Sequence, residues 1–250
     1  VLTIFLQPPR PKASRSEIRV EKKGKIEYIL VGNKSLQLLR HGNGTRTALI
    51  IHGWGSRSTH LYTYSEAMIE AGYTVISVDG PAHGKSTGSS TDMMEYAQAI
   101  VAVERHVGKI DVVIGHSFGA GCILLGVNRF GFNPEKIVLI SCFADAIYIT
   151  QQFADFFRIN RETISGMRKL LEKNDNFEWT WENIAPELLI KNIKQDILII
   201  HDKNDTEVPF EHARRLKKSH GSAEVYQTER KGHRKILRYK PAAQAVVNFL

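Results

Sequence analysis

Residues 115–119 read Gly115-His116-Ser117-Phe118-Gly119, a serine hydroxyl between two flanking glycines. A hydroxyl is a weak nucleophile at neutral pH and needs a neighbouring base, itself oriented by a third group. Of the ten histidines, His233 is preferred as that base. It lies in Lys231-Gly232-His233-Arg234, after the last predicted strand and before the final helix, in a loop at the carboxyl edge of the sheet. His116 adjoins the serine but would point away from it on a sharp turn, and His201 ends a strand where packing accounts for it. Three carboxylates could orient the base. Asp205 is the preferred one, because it lies far enough past the predicted strand Ile197–Ile200 to reach a loop histidine. Asp202, at the strand end itself, suits a turn-tying role through backbone hydrogen bonds. Asp145, after Ile137–Ile140, is the third candidate. Charge developing on a carbonyl oxygen requires preorganised donors. The Phe118 N–H is one, and the Trp54 N–H, in His52-Gly53-Trp54-Gly55, is the expected second.

The elements that must position these groups alternate along the chain. Asp111-Val112-Val113-Ile114 before the serine is too short and apolar for a helix and reads as a buried strand. Ala120-Gly121-Cys122-Ile123-Leu124-Leu125 after it continues as a buried helix. A serine at such a turn has its hydroxyl pushed into the open, and the helix start supplies N–H dipoles suited to negative charge. Other strands are expected at Ile26–Val31, Leu36–Leu39, Ala48–Ile51, Val75–Val78, Ile137–Ile140, Ile197–Ile200 and Val225–Gln227. Helices are expected near Tyr62–Ala71, Met93–Val107, Phe118–Arg129, Phe210–Ser219 and Ala242–Leu250. Continuous Val/Ile/Leu runs alternating with helices imply an α/β fold with a doubly wound parallel sheet, its binding groups at the carboxyl ends of the strands.

One interval breaks the alternation. Between Cys142 and Ile197 there is helical patterning and no strand, with Ile149, Phe153, Phe156 and Phe157 at helical spacing and Ile164, Met167, Leu170 and Leu171 repeating it. Phe143, Phe177, Trp179 and Trp181 make the interval aromatic-rich. Residues 143–190 are therefore expected to form a helical cap over a core of 1–142 and 191–250, with 1–24 as an N-terminal extension. Trp54, His116, Phe143, Phe153, Phe157, Trp179 and Trp181 are the expected substrate-binding residues.

Composition narrows the class. The 250 residues are 42% apolar and 24% charged, as in an ordinary globular protein. No apolar run reaches the roughly 18 residues of a membrane span, and Val1–Leu6 is too short for a signal peptide. Cys122 and Cys142 sit in apolar contexts and read as reduced core residues, which suggests a cytoplasmic setting. The net charge of +8 is spread along the chain without a nucleic-acid-binding motif, so no nucleic-acid partner is expected. Gly80-Pro81-Ala82-His83-Gly84-Lys85-Ser86 imitates a phosphate loop but has three residues between its glycines where that motif needs four.

Together, His52–Gly55, Asp79–Ser86, Gly115–Gly119, Asp205 before Val208-Pro209, and Gly232-His233 resemble the α/β-hydrolase superfamily, in its order of nucleophile, acid and histidine. The resemblance spans about 25–250. It implies a mainly parallel eight-stranded sheet, a Ser117–Asp205–His233 triad and a lid at 143–190. Pro81 and Ala82 depart from the Asp-x-Arg-Gly-x-Gly-x-Ser pattern of many relatives. The serine nucleophile separates the chain from dehalogenases and epoxide hydrolases of this fold, which use aspartate. The expected function is hydrolysis of a small or medium carboxylic ester, with no cofactor or metal. Thioesterase, amidase, lactonase and carbon–carbon hydrolase chemistry share the same machinery, and a binding module with an idle triad is the rival from another class. Arg57, Lys85 and Arg234 lie in loops expected to converge near the mouth, where they would favour an anionic substrate, but outward-pointing surface charges are the preferred reading.

Overall fold

A computed structural model of the chain describes residues 1–173 and 179–250, and Phe177 of the expected cap lies outside them. All eight expected strands form, in one sheet: β1 (Lys25–Val31), β2 (Lys34–His41), β3 (Arg46–Ile51), β4 (Tyr73–Val78), β5 (Val112–His116), β6 (Lys136–Ile140), β7 (Asp196–Asp202) and β8 (Glu224–Thr228). Several run a residue or two beyond their apolar runs, because polar end residues still pair through the backbone. The spatial order is β1-β2-β4-β3-β5-β6-β7-β8. The β1–β2 and β2–β4 pairs are antiparallel, and every pair from β4 to β8 is parallel. The chain passes from β3 to β4 on one side and later to β5 on the other. The winding therefore reverses at β3 and β5, and in open α/β sheets the crevice beyond such strand ends is where ligands sit. The loops leaving these two strands carry Trp54 and Ser117.

Successive residues of the central strands enter opposite cores, which explains their unbroken apolar runs. In β3, Leu49 and Ile51 join one core while Ala48 and Ile50 join the other. The first core takes α4 (Met93–Val107), α5 (Phe118–Phe130) and α9 (Glu211–Ser219) through residues such as Ile100, Ile123 and Leu216. The second takes α3 (Tyr62–Glu70) and α11 (Lys240–Phe249) through Tyr64, Met68, Ala243 and Val246. Each large aliphatic side chain fully buried this way contributes about 1.5–3 kcal/mol of transfer free energy. Cys122 and Cys142 are buried and unpaired with each other. Among the described residues, no helix is long and apolar enough to cross a membrane.

Between β6 and β7 lie α6 (Ala146–Phe157), α7 (Arg161–Lys173) and α8 (Pro186–Leu189), with no strand among the described residues. Ala154 of α6 and Ile164 and Met167 of α7 form a small third core. Sequence patterning misses two helices in the N-terminal extension, α1 (Leu2–Leu6) and α2 (Arg15–Lys23). The second had a legible signal: Ser14 and Glu17 form a reciprocal capping box, the Ser14 N–H donating to Glu17 Oε2 over 2.8 Å. Leu2 and Phe5 of α1 pack against the third core, so the extension is attached to the insertion rather than trailing from the sheet.

Candidate active site

Ser117 stands between β5 and α5 with φ 51° and ψ −116°, a left-handed conformation that L-residues seldom adopt. Its N–H donates to the Ile140 carbonyl over 2.8 Å, clamping the turn to the end of β6. The residue is half-buried and lines a cavity together with Phe118 and Trp54. Strain of this kind costs on the order of 1–3 kcal/mol and persists only where the surroundings enforce it.

The loop after β3 runs close against this turn. A Cβ at Gly53 would stand 3.2 Å from the Ser117 Cβ, and one at Gly119 only 2.3 Å from the His52 carbonyl oxygen. The second approach admits no side chain larger than hydrogen. His52 sets the orientation of the loop. The Gly80 N–H donates to its Nε2 over 3.0 Å, so the proton is on Nδ1, which donates to the Gly53 carbonyl over 2.7 Å. The Ser56 N–H donates to the same oxygen over 3.2 Å. Pinning this carbonyl fixes the peptide plane whose opposite edge is the Trp54 N–H. Burial drives the His52 pKa down to about 3, so the ring stays neutral and in this tautomer.

The preferred base and acid meet. His233, on the short helix α10 (Gly232–Lys235), donates from Nδ1 to Asp205 Oδ2 over 2.8 Å. A carboxylate only accepts, so in the neutral ring the free lone pair lies on Nε2. Asp205 Oδ1 accepts the Glu207 and Val208 N–H groups at 2.9 and 2.8 Å. Burial alone would raise its pKa. The His233 hydrogen bond and charge, with the Val208 N–H, outweigh burial and hold the carboxyl below its ordinary value. Neither alternative acid reaches His233. Asp145 caps α6, accepting the Ile147 N–H over 2.8 Å. Asp202 accepts Thr228 Oγ1 at 2.6 Å and the Lys231 and Asn204 N–H groups, each at 2.9 Å, as a turn-tying residue should.

Asp202 therefore holds the loop that presents His233. Asp202→Ala should strand buried donors at about 1–3 kcal/mol each and lower kcat by displacing His233, with KM less affected. Urea unfolding and steady-state kinetics check both, and an unchanged kcat in a destabilised variant would remove the positioning role.

His116 connects the two halves of the site. Its Nε2 donates to the His233 carbonyl over 3.1 Å, and the two rings lie 4.7 Å apart. His233 is thus packed on the residue preceding Ser117. That corrects the expected substrate contact: His116 is buried and does not line the cavity. Burial keeps it neutral, well below the ordinary histidine value.

The cavity beside Ser117 encloses about 560 Å³. Of the expected substrate-binding residues, Trp54, Phe143, Phe153, Trp179 and Trp181 line it. Phe157 does not: it is 49% exposed and stacks outward on Phe153 and Phe156. The helical spacing placed Phe153 and Phe157 on one face, but the face of α6 turned to the cavity ends at Phe153. Leu2, Phe5 and Leu6 were missed as lining residues, although their spacing is that of an apolar helix face. Met93 and Met94, at the start of α4, were missed too and carry no signal beyond being apolar.

The cations expected at the mouth are engaged elsewhere. Arg57 donates to the Pro11 carbonyl, Lys85 pairs with Glu21 at 2.7 Å, and Arg234 pairs with Glu207 at 2.8 Å. None lines the cavity, whose charged wall residues are Asp92 and Glu95, the latter paired with Lys34. Attraction of an anionic substrate has no support in this arrangement.

A family model described as the alpha/beta hydrolase family matches residues 48–247, most of the chain, with Ser117, Asp205 and His233 inside the match. The chain belongs to the alpha/beta hydrolase family. It is 32% identical over 137 residues to a non-heme haloperoxidase of Rhodococcus erythropolis, covering 53% of this chain and 49% of that protein. It is 30% identical over 138 residues to a bifunctional esterase/perhydrolase of Acinetobacter calcoaceticus, covering 52% and 49%. The matched region is thus about half the length of these relatives. The fold is shared with an esterase of Pyrococcus furiosus at a TM-score of 0.74 and 20% identity, over 98% of both chains.

In this alpha/beta hydrolase the 79–86 loop is folded around its own carboxylate. Asp79 accepts the Ser58 and Lys85 N–H groups, each at 2.7 Å. A Cβ at Gly84 would fall 2.0 Å from Asp79 Oδ2, so the space a phosphate would take is filled by the chain itself. Ala82 stands where many relatives have glycine and adopts φ 61°. Its carbonyl accepts Arg10 Nε over 2.8 Å, an anchor from the N-terminal extension.

Proposed function

We propose that this protein is a serine hydrolase that cleaves carboxylic esters of small or medium acyl chain by acyl transfer. The observation that carries the reading is the strained Ser117 at the wall of an aromatic cavity, with the Asp205–His233 pair packed through His116 onto the same turn. His233 Nε2 takes the Ser117 proton as Oγ bonds to the ester carbonyl carbon. The carbonyl π electrons move to oxygen, where the Trp54 and Phe118 N–H groups stabilise them. Collapse of this intermediate expels the alcohol, which leaves with the proton from His233. Water, deprotonated by the same imidazole, attacks the acyl-enzyme, and the carboxylic acid departs as Ser117 regains its proton. Asp205 keeps Nδ1 protonated and stabilises the imidazolium throughout.

The insertion 143–190 acts as a cap on a core of 1–142 and 191–250. Phe153, Trp179 and Trp181 supply apolar surface to the acyl chain, and an apolar cavity of this size suits a small-molecule ester. The names of similar proteins, an esterase/perhydrolase and an esterase, agree with ester chemistry.

A fluorophosphonate probe tests this directly. Ser117 should be labelled in the folded protein, and aryl esters should be hydrolysed by unlabelled protein only. A folded protein that neither labels nor hydrolyses any aryl ester would show the serine to be idle and leave a binding module.

A further inference from the structure

The N-terminal extension, which no motif singled out, runs past the cavity and is tied down along its length. At its start, α1 turns Leu2, Phe5 and Leu6 into the cavity and leaves Ile4 54% exposed on its outer side. Phe5 meets the Phe153 ring edge-on with centroids 5.1 Å apart, and that of Trp181 at 6.5 Å. The Thr91 N–H donates to the Leu6 carbonyl over 2.9 Å, and Pro8 is buried. Pro9 sits on the loop after β3, where a Cβ at Gly55 would stand 2.7 Å from Pro9 Cγ. Arg10 then donates to three carbonyls of one loop, those of Ala82, Ser86 and Gly88, at 2.8, 3.0 and 2.6 Å. One anchored loop runs against Ser117 at Gly53, and the other packs His83 on Trp54 of that loop, so the segment is continuous with the site and not a free tail.

We propose that residues 1–11 are a specificity-determining strap that closes the acyl end of the cavity, with Phe5 as the residue that limits chain length. This rests on the serine-hydrolase reading for the identity of the acyl group, though not for the shape of the cavity. The argument is one of walls. Phe153 and Trp181 come from the cap side, and neither seals the cavity alone, since the Phe5 ring lies against both. A ring in this position gives a growing alkyl chain a favourable apolar contact until the chain reaches it, and a clash beyond. Below the limit each methylene should tighten binding about fourfold, and above it the gain should stop. The strap is held by backbone-directed hydrogen bonds and proline packing, so substitution at Phe5 changes the wall without releasing the anchors.

The chain has three tryptophans, and Trp54, Trp179 and Trp181 all line this cavity, so intrinsic fluorescence reports on it without need of turnover. Straight-chain alcohols from butanol to dodecanol would be titrated into the parent, Phe5→Ala, Phe5→Trp and, as an outer-face control, Ile4→Ala. The affinity gain per methylene is expected to break at one chain length in the parent and in Ile4→Ala. The break should move to longer alcohols in Phe5→Ala and to shorter ones in Phe5→Trp. In the same variants, the dodecanoate-to-acetate ratio of kcat/KM for aryl esters should rise about tenfold and fall about tenfold respectively. A break that stays at the same length in both Phe5 variants, each folded by circular dichroism, would overturn the strap. Absence of fluorophosphonate labelling at Ser117 would instead overturn the hydrolase reading and leave the alcohol series to decide the strap by itself.

Discussion

Replacing Ser117 by alanine is expected to lower kcat on aryl esters by about 10⁵-fold or more while the protein stays folded. Such a loss corresponds to about 7 kcal/mol of transition-state stabilisation, far beyond what one lost hydrogen bond costs. It follows from the role proposed for Oγ, because no other group in the arrangement can form the acyl-enzyme. Stability should change little with alanine, which keeps the left-handed backbone at φ 51°. Ser117→Gly should be equally inactive yet more stable by about 1 kcal/mol, since glycine takes that conformation without strain. Active-site-normalised kinetics and urea unfolding of the three proteins check both halves. Turnover by Ser117→Ala above one part in a hundred of the parent's would remove the nucleophile assignment.

Acidification should destabilise the protein steeply below neutral pH. Burial drives both His52 and His83 down to about 3, from an ordinary value of 6.5. Between those values the unfolded chain binds protons that the folded chain refuses. Stability therefore rises with pH across the window and is lost as pH falls below about 6.5. By pH 5 each of the two histidines accounts for about 2 kcal/mol of lost stability, or about 4 kcal/mol together. Burial also shifts His116, His201 and His212 downward, so they add to the loss. Asp205, lowered by its partners, keeps its contribution until the pH falls into the carboxylate range. Against a total stability of about 5–15 kcal/mol, that loss is a large fraction of the whole by pH 5. Urea midpoints measured at half-unit steps from pH 8 to 5 should be flat above 7 and fall ever more steeply below 6.5. A flat profile down to pH 5 would show that these rings take up protons in the folded state.

The second expectation depends on neutral buried histidines that are packed rather than solvated. The cluster His52, His83 and Tyr96 lies behind Trp54, with the His52–His83 centroids 4.9 Å apart and His83–Trp54 5.3 Å apart. It supports the loop that carries the Trp54 N–H, so acid unfolding and loss of turnover should begin together. Nothing in the local sequence around His83 marked it as a support; its glycine-rich setting imitated a phosphate loop instead. The spacing of its glycines already argued against a phosphate, and Asp79 inside the loop fills the place one would take.

Much of the architecture was legible because burial on both faces of a parallel sheet leaves uninterrupted Val/Ile/Leu runs, and the runs at Ala48–Ile51 and Ile197–Ile200 carry that pattern plainly. The elbow was legible for a related reason: glycines at 115 and 119 bracket the serine, and backbone contact at Gly119 forbids anything else. Asp205 and Asp202 were separable in kind, one for reach and one for tying the turn. Less legible were groups whose partners are distant in sequence. Arg57, Lys85 and Arg234 read as a converging basic mouth, yet each finds an acceptor on a segment that only folding brings near.

The sequence by itself determined the order of strands and helices, the strained serine turn and the set of residues able to act as base, acid and oxyanion donors. These are local properties: periodicity, glycine placement and distance from a strand end need no knowledge of the rest of the chain. The tertiary structure alone decided which aromatics face the cavity, where the basic side chains find their partners and where the extension lies. Those outcomes depend on contacts between segments far apart, such as Arg10 with Gly88 and Phe5 with Trp181. Pairings of that kind are selected by the shape of the whole core, which no window of local sequence contains.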